Sequence, residues 1–211
     1  MNYLALTFDD GVNFKTTIPI LDILEKYKVV GSFFVCGEHL TEETKPILKR
    51  AYRMGCEIDN HSYSHSNMTE LSKEDILSEI DRTSRIVFET IGKYPKFFRP
   101  PYIAINQSMF DVINLPFICG YGCNDWNSNV SVKERIDGIL KQAEDGCIIL
   151  LHDLYGNDKT VQALDVVIPK LKSLNFELVT VSQLFTLKGI IPTVHKNMLY
   201  TNVMNPKVCT W

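Results

Sequence analysis

Two nearly unbroken apolar runs, Val29–Cys36 (VVGSFFVC) and Gly146–Leu151 (GCIILL), restrict the folds open to this chain more than any other feature. A strand with no polar alternation has no solvent-facing side, so both faces must be covered, which is the habit of parallel sheets flanked by helices. Helical patterns separate these runs and their neighbours. Ile20, Leu21, Leu24 and Tyr27 recur at helical spacing, as do Ile76, Ile80, Val87 and Ile91, and Val161, Leu164, Ile168 and Leu171. Ser72 with Asp75 supplies a capping-box start for the second of these helices, and Ser131 with Glu134 one for a further helix to about Glu144. Pro169 is expected to kink the helix that contains it, near Asp165.

Further strands are expected at Tyr3–Phe8, Cys56–Asn60, Phe97–Phe98, Pro116–Tyr121 and Phe176–Val181. With the two apolar runs they make about seven βα units, an α/β chain with a parallel sheet. A closed or nearly closed barrel is favoured over an open doubly wound sheet. The polar residues Asp9, Asp10, His61, His65, Arg99, Asp125 and His152 all follow the C-terminal ends of expected strands. In a barrel those ends converge on one face; in an open sheet they lie along a line. Beyond Gly189 no period is visible, and the tail is expected to pack irregularly over the surface.

At 211 residues and 45% hydrophobic content the chain can bury one sizeable core, and a single domain over 1–211 is expected. A net charge of −3 gives no footprint for nucleic acid or an anionic membrane, so a neutral partner fits better. Six cysteines without a CxxC pair read as buried free thiols. No apolar run approaches membrane-spanning length, and Met1 leads almost directly into a strand. The expected location is extracellular if a leader has been removed, or cytoplasmic. A monomer is the expected state.

The first strand closes on Asp9-Asp10-Gly11, two adjacent carboxylates that can serve one site only where the strand ends and turns. Alone, this is an ordinary Asp-Gly turn. His61 and His65, four apart, can aim both imidazoles at one point, although such a pair without a third ligand is more often polar surface. Asp10 can be that third ligand. Two imidazoles and one carboxylate leave a divalent metal an open position for water; zinc is the first choice, with cobalt, nickel or manganese as alternatives. Asp9 is placed to act as base, and Arg99, held extended by Pro100, to keep it ionised, against the alternative of a surface salt bridge. His152 is the candidate acid, with Asp125 orienting it; otherwise it is a hydrogen-bonded histidine at a strand end. Tyr102, Trp126 and Leu151 fit a core as well as a substrate wall, and an exposed Tyr102 or Trp126 would stack on a sugar face. His39 and His195 have no partner at ligand spacing and are read as ordinary polar residues.

Five motifs in order, Thr7-Phe8-Asp9-Asp10-Gly11, His61-Ser62-Tyr63-Ser64-His65, Arg99-Pro100-Pro101-Tyr102, Asp125-Trp126 and Leu150-Leu151-His152-Asp153, resemble those of the polysaccharide deacetylases of carbohydrate esterase family four. The resemblance runs from about Tyr3 to Leu187. It implies a distorted (β/α) barrel, a metal held by Asp10, His61 and His65, Asp9 as base supported by Arg99, and His152 as acid tuned by Asp125. It further implies that the backbone N–H of Tyr102 helps hold the oxyanion, and that the substrate is an acetylated polysaccharide or oligosaccharide. Val12 stands where the family usually has proline, which is expected to loosen that turn without removing a reacting group. No stretch of these residues is expected to serve as the secretion signal common in the family. Cys123–Trp126, the loop 154–158 and the segment 179–189 are most similar to the acetylxylan esterase branch. The alternatives are an N-deacetylase of N-acetylglucosamine polymers, such as chitin oligomers or peptidoglycan, and a non-catalytic carbohydrate-binding module. The module would have no use for an acid and a base.

Overall fold

In a computed structural model that describes residues 1–210, nine strands follow one another in the order β1 (Asn2–Asp9), β2 (Ser32–Val35), β3 (Glu57–Asn60), β4 (Phe117–Ile118), β5 (Tyr121–Gly122), β6 (Ile148–His152), β7 (Phe176–Leu178), β8 (Met198–Tyr200) and β9 (Lys207–Val208). Trp211, the last residue of the expected domain, lies outside the described residues. Seven α-helices alternate with them: α1 (Thr17–Tyr27), α2 (Lys45–Arg53), α3 (Lys73–Ile91), α4 (Gln107–Val112), α5 (Val132–Gln142), α6 (Asp158–Ser173) and α7 (Val181–Lys188). The central strand is β1, which pairs in parallel with β2 and β6 and, along its first residues, with β7. Next to β2 lies β3, and next to β6 lies β5, both parallel.

Single-residue bridges carry the pairing onward from β3, Asn60 to Phe98 and Phe98 to Phe117, both parallel. From there β4 pairs in parallel with β8. Beyond β8 the main chain meets the start of β6, where Ile148 N–H donates to Thr201 O and Val203 N–H to Gly146 O, each at 2.9 Å. The expected α/β architecture, a distorted (β/α) barrel, is the one observed. Alternate residues of each strand face opposite ways. Leu4, Leu6 and Phe8 of β1, with Ile149 and Leu151 of β6, pack in the cluster that includes Ile20, Leu24, Leu164 and Ile168 of the helices. Ala5 and Ile148 belong instead to a second cluster with Phe34, Ile118 and Tyr200.

Two expectations are corrected. The strand expected over Pro116–Tyr121 is divided, with β4 joined to β8 and β5 to β6. Gly120 sits at the break, where a Cβ would lie 2.8 Å from Leu150 Cβ, so the chain passes closer to β6 than a side chain allows. The tail is not irregular: β8 and β9 pair antiparallel, and Tyr200 and Val203 are buried. Met198-Leu199-Tyr200 is too short a run to show a period, and its strand character comes from the partner β4.

Several local expectations hold. Ser72 Oγ accepts from Asp75 N–H, and Ser131 with Glu134 forms a complete capping box. The kink expected near Asp165 is not one of them: α6 runs from Asp158 to Ser173 through Pro169 as one helix, and the Asp165 carbonyl, four residues before the proline, accepts from the Tyr27 hydroxyl at 3.0 Å. All six cysteines are free thiols, and among the described residues no helix is long and apolar enough to cross a membrane.

Candidate active site

The C-terminal ends of β1, β3, β5 and β6 open into one cleft of about 520 Å³, with Asp9, Asp10, His61, His65, Tyr102, Trp126 and His152 on its walls. Register explains part of the gathering: Asp9 on β1 stands opposite His152 on β6. Asp9 is buried and points inward with Ala5 and Thr7, whereas Asp10, at φ 76, turns off the strand end. That turn lets adjacent carboxylates face the same space.

Asp10 Oδ1 lies 3.4 Å from His61 Nε2 and 3.3 Å from His65 Nε2. It is buried and has no hydrogen-bond partner. His61 Nδ1 donates to the Arg99 carbonyl at 2.7 Å, which leaves its Nε2 as a lone-pair donor toward Asp10. The three donor atoms fall within 4.8 Å of one another, a fit for a divalent cation with nitrogen and oxygen ligands. Burial opposes the charge on Asp10, but His61, His152 and His65 outweigh it and hold its carboxyl at about 2. Burial also lowers the His65 pKa, aided by His61, which keeps this ring neutral and able to ligate.

The loop carrying both histidines is tied to α3. Glu79 Oε2 accepts from the N–H groups of Tyr63 (2.9 Å) and Ser64 (2.8 Å), Arg82 lies 3.4 Å over the Tyr63 ring, and Thr83 Oγ1 donates to Ser62 O at 2.8 Å. His39, read from sequence as ordinary, bonds through Nδ1 to the carbonyl of Asp10 at 2.7 Å and so steadies the backbone of a candidate ligand.

Arg99 is fully buried, not a surface partner. Its Nη1 donates to Asp9 Oδ1 (2.5 Å) and Thr7 Oγ1 (2.9 Å), its Nη2 to the Cys119 carbonyl, and its guanidinium lies 4.1 Å over Phe34. On the other wall, Asp125 Oδ1 accepts from His152 Nδ1 at 2.7 Å, and Asp125 Oδ2 from His152 N–H at 2.9 Å. Burial disfavours the His152 cation, yet Asp125 outweighs it and raises its pKa to about 9.

Tyr102 is 70% exposed and Trp126 59%, so both are cleft walls rather than core. Tyr102 takes φ 58, and its N–H has no acceptor among the described residues. Leu151 is corrected: it is fully buried among the helices, and Leu150 lines the cleft. On a strand, the residue sharing a face with His152 is two positions away, not one.

Asp153, in a quoted motif but given no role there, holds the first turn. Its Oδ1 accepts from Gly11 N–H at 2.9 Å and its Oδ2 from Thr17 Oγ1, while Asn13 Nδ2 donates to its carbonyl at 2.6 Å. The turn before Val12 is therefore tied down, contrary to the expected loosening. Burial, with Asp10 and Asp9 nearby, lifts the Asp153 carboxyl to about 7 despite its donors.

This barrel carries an Asp-His-His cluster with acid and base candidates on either side, the arrangement that the five motifs imply. The chain belongs to the polysaccharide deacetylase family, which residues 1–115 match. It is 46% identical over 200 residues to the bifunctional xylanase/deacetylase of Pseudobutyrivibrio xylanivorans, covering 95% of this chain and 33% of that protein. The chain thus spans about a third of that relative's length. The Xyl-CE4 domain of a multidomain xylanase from the hindgut metagenome of Trinervitermes trinervoides superposes with a TM-score of 0.93 at 45% identity, over 96% of this chain and 98% of that one. A family 4 acetyl xylan esterase from Clostridium thermocellum, in complex with a cobalt ion, gives 0.91 at 39% identity, over 95% and 98%.

Proposed function

We propose that this chain hydrolyses acetyl esters on xylan or its oligosaccharides, using a divalent metal at Asp10, His61 and His65. The observation that carries the reading is the buried, unpartnered Asp10 Oδ1 facing two imidazole Nε2 atoms at 3.4 and 3.3 Å, with Asp9 and His152 on the same cleft. Zinc suits these donors, and when bound it would supply Lewis acidity to the acetyl carbonyl and to a water.

The chain's own groups do the rest. Asp9, which accepts from Arg99 Nη1, takes the attacking water's proton. The Tyr102 N–H donates to the carbonyl oxygen as its charge grows. His152, whose Nδ1 proton is given to Asp125, presents Nε2 to the cleft and passes a proton to the departing sugar oxygen. Leu150 borders the space for the acetyl methyl, and Trp126 and Tyr102 offer faces for sugar rings. The lean to xylan is supported by the xylan-directed names of the similar proteins.

The test is acetate release by zinc- or cobalt-loaded protein on acetylated xylan oligosaccharides and on N-acetylglucosamine oligomers, side by side. Release from xylan is expected. Release from the amino sugar alone would make the protein an N-deacetylase. Sugar binding without acetate from either would leave a binding module and sink the enzymatic reading.

A further inference from the structure

Behind the His152–Asp125 pair lies a second layer that no motif describes. Arg135, in the first half of α5, is buried and uses four of its five N–H groups inside the protein. Nε donates to Val130 O (3.2 Å) and Nη2 to Asn127 O (3.1 Å), which anchor the guanidinium to the turn before α5. Nη1 faces two side chains at the start of α6, Thr160 Oγ1 at 2.7 Å and Asn157 Oδ1 at 2.5 Å.

Arginine has donors only, and that fixes the direction of the next bonds. Thr160 Oγ1 must accept from Arg135, so its single proton is left for Asp125 Oδ2, 2.8 Å away. Asn157 must turn Oδ1 to Arg135, so its Nδ2 donates to Asp125 Oδ2 (3.3 Å) and to the His152 carbonyl (2.9 Å). Asp125 Oδ2 is thereby occupied by three donors, and Oδ1 alone is left for His152 Nδ1. Without Arg135 nothing would fix the sense of the threonine and asparagine bonds, and of the three donors on Asp125 Oδ2 only the His152 N–H would stay assured.

We propose that Arg135 is a positioning residue for the acid His152, acting through Thr160 and Asn157 on the orientation of Asp125. The proposal rests on the acid role given to His152 above. It requires no contact between Arg135 and substrate.

Thr160→Val removes the O–H that Asp125 accepts and keeps the side chain's shape. Arg135→Met removes the whole fork, and Arg135→Lys restores a cation without its planar geometry. Two readouts separate positioning from mere stability: the downfield proton resonance of His152 Nδ1–H, assigned by its absence in His152→Gln, and the split between kcat and KM on acetylated xylan oligosaccharides. Thr160→Val and Arg135→Met are expected to shift or broaden that resonance and to lower kcat by about 10- to 100-fold with KM unchanged, the range seen when supporting hydrogen bonds of a site are cut. Arg135→Lys should recover part of both. If Arg135→Met fails to fold, Thr160→Val decides. A wild-type resonance and wild-type kcat in folded Thr160→Val would overturn the proposal. Absence of acetate release by the wild type would instead defeat the proposed function, with the resonance still testing the arrangement of Arg135, Asp125 and His152.

Discussion

Arg99 Nη1 reaches Asp9 Oδ1 at 2.5 Å across 90 positions of sequence, and both side chains are shut away from solvent. The pair joins the end of β1 to the segment after Phe98, parts of the wall that β2 and β3 separate and that lie far apart in sequence. Breaking a buried pair strands the surviving charge, at a cost of about 3–5 kcal/mol. Arg99→Met should therefore lower unfolding free energy by roughly that amount in denaturant titrations, and deacetylation should fall with it. An Arg99→Met protein of wild-type stability would show that Asp9 does not depend on this partner.

Asp9 and Asp10 are neighbours with different surroundings, so their substitutions should separate. Asp9→Asn is expected to keep the metal and lose about 10²- to 10⁴-fold in turnover, the usual worth of a positioned base. His61→Ala should lose metal and turnover together, since its Nε2 is one of three clustered donors. Metal content by elemental analysis, beside acetate release, checks both. Full activity in Asp9→Asn would remove its assignment as base.

Gly11 meets Asp153 so closely that an added Cβ would lie 2.0 Å from Oδ2 and 2.5 Å from Cγ. Asp153 also accepts from the Gly11 N–H, so it cannot retreat without abandoning the turn that aims Asp10. Gly11→Ala should cost about 1–3 kcal/mol as overpacking and weaken metal binding by calorimetry. Unchanged metal affinity would mean that the ligand turn tolerates a displaced Asp153.

Much of this arrangement was legible because the relevant signals are local. Apolar runs such as Gly146–Leu151 declared covered strands, and Ser131 with Glu134 declared a helix start. The site followed from polar residues placed just after strands, which a barrel collects on one face. What stayed hidden depends on partners distant in sequence. Met198–Tyr200 is a strand because β4 is beside it, and Arg135 is buried because Asn157 and Thr160 await it. Nothing in the neighbourhood of either carries that information.

The exchange of Leu151 for Leu150 shows how much one position matters on a strand. Leu151 sits in the core with Leu164 and Ile168, so Leu151→Ala should cost about 2–5 kcal/mol in unfolding experiments and leave KM unaltered. Leu150 lines the cleft, so Leu150→Ala should change KM for the acetylated oligosaccharide at a smaller stability cost. The reverse pattern would place the acetyl group elsewhere.

His152 predicts a pH signature of its own in the metal-free protein. Its burial works against protonation, but the Asp125 hydrogen bond and charge prevail, raising its pKa from 6.5 to about 9. Between these values the folded protein keeps a proton that the unfolded chain releases. The stabilisation is therefore fully present below pH 6.5 and is lost as pH rises through about 9. At 1.36 kcal/mol for each pKa unit, the full contribution is on the order of 3 kcal/mol. Denaturant unfolding of wild type and His152→Gln across that window should show a stability gap that narrows toward alkaline pH. A gap of constant size would mean that His152 gains no proton affinity from Asp125, and with it the case for a cationic acid on that wall would fall.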